Sequence, residues 1–284
     1  MSSQFTIFNY MNFVVLNNKL IGDKEINLNN RNRGFLYGDG FFESIKILNQ
    51  SPFNFNNHYN RIEFSADFLN LEFLISKEEL LNKIKELLLQ NDIVNGSVRI
   101  TIFRDSHGKY YPINNESSYI ITSLKDQNSS FLNNDKLSLG IYTDNLKSPS
   151  KLSNIKSLNS LLYVLASKYA KSNGFDDVLL YNSSNNIIES TNSNLFLKSK
   201  NTVFTPPISD GCVDGTMRKL LISIIERKYK LTYKSLKVED VSESDEIILS
   251  NAISGVRKVS LFRDKEFNED SFYNYLLQSL NKLI

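Results

Sequence analysis

Lys156 stands in the run NIKSLN, with Ile155, Leu158 and Leu161 around it. An ammonium among apolar neighbours loses hydration, so its pKa falls and the neutral amine becomes a nucleophile toward carbonyl carbon. Glu189 follows two isoleucines and opens onto the polar run Ser190-Thr191-Asn192-Ser193-Asn194. A carboxylate at a strand end beside such a shelf suits an ion pair or a contact to a ligand. Arg61 lies beside His58 near the expected start of a helix, where a guanidinium fork can take a phosphate through two hydrogen bonds. The same charge could be met on the surface by Glu63 or Asp67. The segment ISDGCVDGTMR at 208–218 carries Gly211 and Gly215 in a turn that runs into a helix. Backbone N–H groups at a helix start form an anion site, and Arg218 adds positive charge to it. Cys212 has no spacing that pairs it with His58 or His107 and reads as a small buried filler.

These groups need a frame. Strands are expected over 13–16 and 41–48, both dense in β-branched or aromatic residues. Asn57 can cap a helix running to about residue 71, with Ile62, Phe64, Ala66 and Leu69 as its apolar stripe. A second helix, 77–90, sets Leu80, Leu81, Ile84, Leu87 and Leu88 at helical spacing. Residues 97–103 alternate as a strand and pair with 119–124. The polar stretch KDQNSSFLNND at 125–135 is the expected connector between an N-terminal domain, 1–124, and a C-terminal domain, 136–284. Beyond it the pattern gives a strand over 137–142, a long helix over 158–172 and short strands at 178–180, 187–188 and 195–197. A helix over 215–229 follows, then strands at 247–249 and 256–262. No internal repeat is present. The fold class is α+β in two domains, the second dominated by strands.

Composition narrows the function. Of 284 residues 41% are hydrophobic and 23% charged, enough to bury a sizeable core. Lys+Arg 33 against Asp+Glu 31 leaves a net charge of +2, so nothing electrostatic favours nucleic acid or a membrane surface as partner. One cysteine and two histidines leave no disulfide framework, Cys-rich zinc site or His-rich centre, and no metal is expected. No apolar run approaches the roughly 18 residues of a membrane span, and the first residues show no basic segment followed by an apolar one, so no secretory leader is expected. A reduced, cytoplasmic, soluble protein is the expectation. Asparagine, about one residue in eight, is scattered and reads as compositional bias. Glycine is scarce at 11 residues, so the pairs Gly38/Gly40 and Gly211/Gly215 carry more information than usual.

Six segments, taken in order, resemble the fold-type-IV pyridoxal-phosphate enzymes, the class IV aminotransferase superfamily. They are RGFLYGDGFFES at 33–44, HYNRIEFSADFL at 58–69, VRITIFRD at 98–105, IKSLNSLLYVLA at 155–166, DDVLLYNSSNNIIESTNSNLF at 176–196 and TPPISDGCVDGTMRK at 205–219. The resemblance implies a smaller N-terminal α/β domain, a larger C-terminal strand-rich pseudo-barrel, and pyridoxal 5'-phosphate held between them. It assigns Lys156 to the lysine that carries the cofactor as a Schiff base and then shuttles the α-proton. Glu189 matches the carboxylate that keeps the pyridine nitrogen protonated, which makes the ring an electron sink. Arg61 matches the phosphate-binding arginine, Thr216 and Met217 the helix-start phosphate cup, and Ser250 and Asn251 a second loop reaching the phosphate. Tyr37 and Ser44 match pocket-lining positions. His107 and Lys109 lie in a loop that in relatives reads a substrate carboxylate in a neighbouring subunit's pocket, and a homodimer is implied.

Within that superfamily the details point toward 4-amino-4-deoxychorismate lyase, which gives 4-aminobenzoate and pyruvate. Met217, Asn251-Ala252 and the Ser44 hydroxyl resemble the lyases, whereas Glu43 resembles the transaminases. Ser160 and Leu161 stand where branched-chain enzymes place a tyrosine for the cofactor's phenolic oxygen. The alternative is an aminotransferase for D-amino acids or for branched-chain or small apolar ones. A non-catalytic binding module on the same scaffold would have lost the lysine or the glutamate, and neither is lost.

Overall fold

In the computed structural model, which describes residues 13–131 and 136–284, the strands fall into two sheets. The first is antiparallel throughout. It contains β1 (Phe13–Leu16), β2 (Lys19–Gly22), β3 (Gly40–Leu48), β4 (Ser51–Pro52), β5 (Gly96–Arg104) and β6 (Ser117–Lys125), in the order β2-β1-β6-β5-β3-β4. A short helix, α1 (Arg33–Tyr37), leads into β3. Helices α2 (Phe55–Phe68) and α3 (Lys77–Gln90) close one apolar core with the sheet, in which Ile62, Leu80, Ile84 and Leu87 meet Ile45, Ile47, Ile100 and Ile102. A reciprocal Ser76–Glu79 capping box starts α3 where its periodicity begins. The start of α2 differs from expectation. Asn54, in the left-handed region at φ 57°, caps it ahead of Asn57. The buried line is then Phe55, Tyr59, Ile62 and Ala66, so Phe64 falls off that face and is 54% exposed.

The second sheet is built from β7 (Leu137–Lys147), β8 (Asp177–Asn182), β9 (Ile187–Ser190), β10 (Asn194–Ser199), β11 (Thr202–Thr205), β12 (Lys230–Tyr233), β13 (Glu246–Asn251), β14 (Gly255–Phe262) and β15 (Lys265–Glu266). Strand β10 pairs with both β13 and β9, so the path β10-β13-β14-β7-β8-β9 returns on itself as a six-stranded barrel. The closing pair is Asn194 with Glu189. One face of every barrel strand feeds one cluster, with Leu139, Leu179, Ile187, Leu195, Leu249 and Val259. The opposite faces are covered by α4 (Leu161–Ser172), α5 (Thr216–Ile225) and α7 (Ser271–Asn281), while α6 (Val238–Glu243) adds Val241 to the first cluster. Strands buried on both faces read as continuous apolar runs, as they do here. Buried Glu246 accepts the N–H groups of Phe272 and Tyr273 and so caps α7.

Three further differences from the sequence reading stand out, the first of them at the site. Helix α4 starts at Leu161, not at residue 158, because the residues before it are pinned along the edge of β3. Phe42 donates to the Lys156 carbonyl, Leu158 donates to the Gly40 carbonyl, and Phe41 bridges to Ser157. The expected connector is not wholly polar surface either. Phe131 is buried against Phe53 and the Gly255 backbone, while residues 132–135 of that stretch lie outside the described residues. Helix α5 is shorter than expected, ending at Ile225 before a turn. Among the described residues no helix is long and apolar enough to cross a membrane.

Candidate active site

A cavity of about 480 Å³ opens where the barrel strands meet β3 and the start of α5, and Lys156 lines it. The strand-like pinning of its backbone fixes where its side chain leaves the chain. Its Nζ lies 3.9 Å over the Phe42 ring. Burial, and after it the Arg61 charge, bring its pKa down from 10.5 to about 8, against the opposing pull of Glu43 and Glu189. That is the setting in which an amine is neutral often enough to attack a carbonyl. Arg99 stacks on the same Phe42 ring at 3.6 Å and sits in register opposite Ser44. Sequence reasoning missed both Phe42 and Arg99. Alternation along β3 and β5 could have found them, since Phe42, Ser44 and Arg99 share one face.

Glu189 lies in β9 at the barrel's closing pair, 3% exposed. Its Oε1 accepts from Lys147 Nζ at 2.6 Å and from the Tyr163 hydroxyl at 2.9 Å, and its Oε2 accepts from the Val213 N–H at 2.8 Å. Burial and the Glu189 charge hold the Tyr163 hydroxyl well above its ordinary pKa, so it stays a donor. Neither Lys147 nor Tyr163 was singled out from the sequence.

Arg61 sits in the second turn of α2, and its partner is neither Glu63 nor Asp67. Both expected surface partners lose to Glu43, buried on the neighbouring strand β3. Arg61 Nε and Nη2 donate to the two Glu43 oxygens at 2.6 and 2.8 Å, and Nη1 donates to the Asp214 carbonyl at 3.1 Å. His58 Nδ1 lies 2.7 Å from the same carboxylate, and its Nε2 is 3.3 Å from Thr216 Oγ1. Burial alone would raise the Glu43 pKa, but the Arg61 charge and the His58 contact overcome it and bring it to about 2.

Thr216 opens α5, with Met217 buried behind it. The Gly215 backbone is pressed so close to Asn194 that a Cβ there would lie 2.0 Å from Oδ1. Ser250 and Asn251 line the cavity from the end of β13. Among the described residues the buried Ser250 hydroxyl finds no hydrogen-bond partner, an orphan donor on the cavity lining. Spare N–H on Arg61, helix-start amides and an unpaired hydroxyl together suit a phosphate ester. With a poised amine and a buried carboxylate in the same cavity, the residues fit pyridoxal 5'-phosphate.

Other predicted residues lie elsewhere. Arg218 does not strengthen the anion site. It is buried, donates to the Pro206 carbonyl at 2.9 Å and stays off the cavity wall, because the first turn of α5 turns it away. Ser44 lines the cavity, whereas Tyr37, His107 and Lys109 do not. Tyr37 packs on Tyr110, the Lys109 carbonyl accepts from Arg33, and His107 borders a second cavity with Arg31 and Asp105. Cys212 is buried, and burial pushes its thiol up to about 12. Among the described residues, no three His, Cys, Asp or Glu side chains converge to hold a metal.

Known proteins line up with this arrangement. The D-alanine aminotransferase of Staphylococcus epidermidis is 25% identical over 255 residues, covering 88% of this chain and 89% of the relative. A putative 4-amino-4-deoxychorismate lyase from Legionella pneumophila superposes with a TM-score of 0.84 at 25% identity, over 92% of this chain and 97% of the other. A hypothetical aminotransferase from Mycobacterium tuberculosis, in its PLP-bound form, shares the fold, with a TM-score of 0.83 at 16% identity over 96% of this chain and 98% of the other. The family model for amino-transferase class IV matches residues 40–262, from the start of β3 to the end of β14. The chain therefore belongs to the class IV aminotransferases and is an enzyme dependent on pyridoxal 5'-phosphate.

Proposed function

We propose that the chain is a 4-amino-4-deoxychorismate lyase, releasing pyruvate and leaving 4-aminobenzoate. The observation that carries this reading is the placement of Ser44 on the cavity wall in register with Arg99, beside the Phe42 ring on which Lys156 also rests. A hydroxyl and a guanidinium near the amine suit a substrate whose carboxylate stands a ring's length from its amino group. The protein from Legionella pneumophila named a putative 4-amino-4-deoxychorismate lyase, at a quarter identity over nearly its whole length, supports the same subgroup.

When bound, the cofactor supplies an electron sink for the carbon bearing the substrate's amino group. The chain's own residues do the rest. Arg61, the Thr216 and Met217 amides, Ser250 and Asn251 would hold the phosphate. Glu189 would meet the pyridine nitrogen. Lys156 Nζ would tether the cofactor and, once the substrate amine has displaced it, would hold the proton from the carbon bearing the amine. The Ser44 hydroxyl hydrogen-bonds the departing oxygen. His107 and Lys109 lie off this chain's own cavity and would complete the pocket of a second copy, so we take the working unit to be a homodimer. Tyr110 and Tyr111, beside Lys109, are almost fully exposed and would lie at that contact. A reducing cytoplasm is the setting consistent with one buried thiol.

The second reading is an aminotransferase for D-amino acids or for branched-chain or small apolar ones, favoured by Glu43 and by the D-alanine aminotransferase relatives. Incubation with 4-amino-4-deoxychorismate and no keto acid separates the two. Pyruvate should accumulate over many turnovers. Strict dependence on an added 2-keto acid would replace the lyase with the aminotransferase.

A further inference from the structure

We propose that Lys147, acting with Tyr163, is the positioning residue of Glu189, leaving that carboxylate one acceptor direction for the cofactor ring nitrogen. The inference rests on the reading of Glu189 as the ring-nitrogen partner.

Lys147 is the last residue of β7, where the β7–β8 register has just shifted before pairing with Asn182. A lysine at a strand end ordinarily runs out to water. This one keeps only 10% of its side chain exposed and turns inward. Its Nζ donates to Glu189 Oε1 at 2.6 Å and to the Tyr163 hydroxyl at 2.7 Å, and Tyr163 donates in turn to the same Oε1 at 2.9 Å. The three groups form a closed triangle drawn from β7, α4 and β9.

A carboxylate offers about four acceptor positions, two on each oxygen. Lys147 and Tyr163 fill both on Oε1, and the Val213 N–H fills one on Oε2. One position on Oε2 remains. Glu189 is nearly fully buried, and a buried charge without a counter-charge is costly. Among the described residues Lys147 is its ion-pair partner. Lys147 is absent from the cavity lining, so it acts through Glu189 and not by touching the cofactor.

The test compares the affinity of the cofactor-free protein for pyridoxal 5'-phosphate and for 1-deazapyridoxal 5'-phosphate, the same ring without its nitrogen. The wild type should prefer the natural cofactor. Lys147→Met should cut that preference by about tenfold or more, the worth of a well-placed charge-assisted hydrogen bond. Tyr163→Phe should cut it in part, and Lys147→Arg, which keeps the charge, should restore it. Thermal melting of each variant checks that the fold survives. If Lys147→Met weakens both ligands equally, or raises the preference, the positioning role is wrong and Lys147 is a structural brace or a competitor. If instead Glu189→Gln leaves the wild-type preference untouched, the reading of Glu189 itself fails and takes this proposal with it.

Discussion

Glu43 grips Arg61 with both carboxylate oxygens, at 2.6 and 2.8 Å, and holds His58 at 2.7 Å. The carboxylate is the hub of the proposed phosphate cup, since Arg61 borders the cavity and His58 reaches Thr216. Breaking a buried pair from one side strands the other charge, so Glu43→Gln should cost about 3–5 kcal/mol of stability at neutral pH. The pH dependence has a definite sign. The Glu43 pKa is depressed from 4.5 to about 2 in the folded chain, so its contribution is complete above the first value and fades toward the second. Urea denaturation from pH 7 downward should show wild type and Glu43→Gln converging across that window. Parallel curves would mean that Glu43 does not stabilise the fold as an ion.

Arg61 answers to the same pair. An arginine that only clamped phosphate would be dispensable for folding, but this one neutralises a buried carboxylate. Arg61→Ala should therefore lose about 3–5 kcal/mol as well as its hold on the cofactor. Arg61→Lys keeps the charge while losing the fork, so it should fold nearly as well and still shed cofactor faster on dialysis. Equal retention in Arg61→Lys and wild type would remove Arg61 from the phosphate cup.

Gly215 is needed for closeness, not for an unusual backbone. Its φ is −66°, which any residue adopts, but a Cβ would lie 2.0 Å from Asn194 Oδ1. Asn194 Nδ2 in turn holds the Val213 carbonyl, and the Val213 N–H holds Glu189. Gly215→Ala should push this chain apart, lowering stability by about 1–3 kcal/mol and weakening pyridoxal 5'-phosphate binding in equilibrium dialysis. Adding Asn194→Ala should recover part of the stability, because the two sites are in contact and their effects do not add. A fully additive double variant would rule out this clash.

Much of this was legible in the sequence, for physical reasons that also mark where reading stopped. Helix α3 declared itself through five apolar residues at helical spacing, and it spans the expected residues. The barrel strands announced themselves as short apolar runs. Lys156, Glu189 and Arg61 were singled out by type and neighbourhood and given their roles by the family resemblance, and they do line one cavity. Their partners were not found. Glu43 meets Arg61 across 18 positions of sequence, and Lys147 meets Glu189 across 42. Such pairs are set by sheet register and barrel closure, which periodicity within one segment does not encode. Helix α7 was missed as well, although Phe272, Leu276 and Leu280 recur every four residues, because its start is capped by distant Glu246 and not by a local motif.

Lys156 carries the last prediction. Its pKa in the folded chain is about 8 against an ordinary 10.5, chiefly because burial strips water from the ammonium and Arg61 repels it. The folded chain thus binds this proton less tightly than the unfolded one. Below about pH 8 the buried charge costs stability, the cost shrinks as pH rises toward 10.5, and above that value it is gone. Lys156→Met should therefore stabilise the cofactor-free protein at pH 7 by about 2 kcal/mol, allowing for the part of the side chain that water reaches. The same variant should gain nothing above the ordinary lysine range. It should also be inactive even if it retains cofactor noncovalently, since tether and proton carrier are both lost. Borohydride treatment of the cofactor-loaded wild type, followed by peptide mapping, should place a pyridoxyl group on Lys156. A label on Lys147, the other lysine near Glu189, would exchange the roles proposed for the two amines. A destabilised Lys156→Met at pH 7 would show that the amine is not held in the desolvated state from which its reactivity is argued.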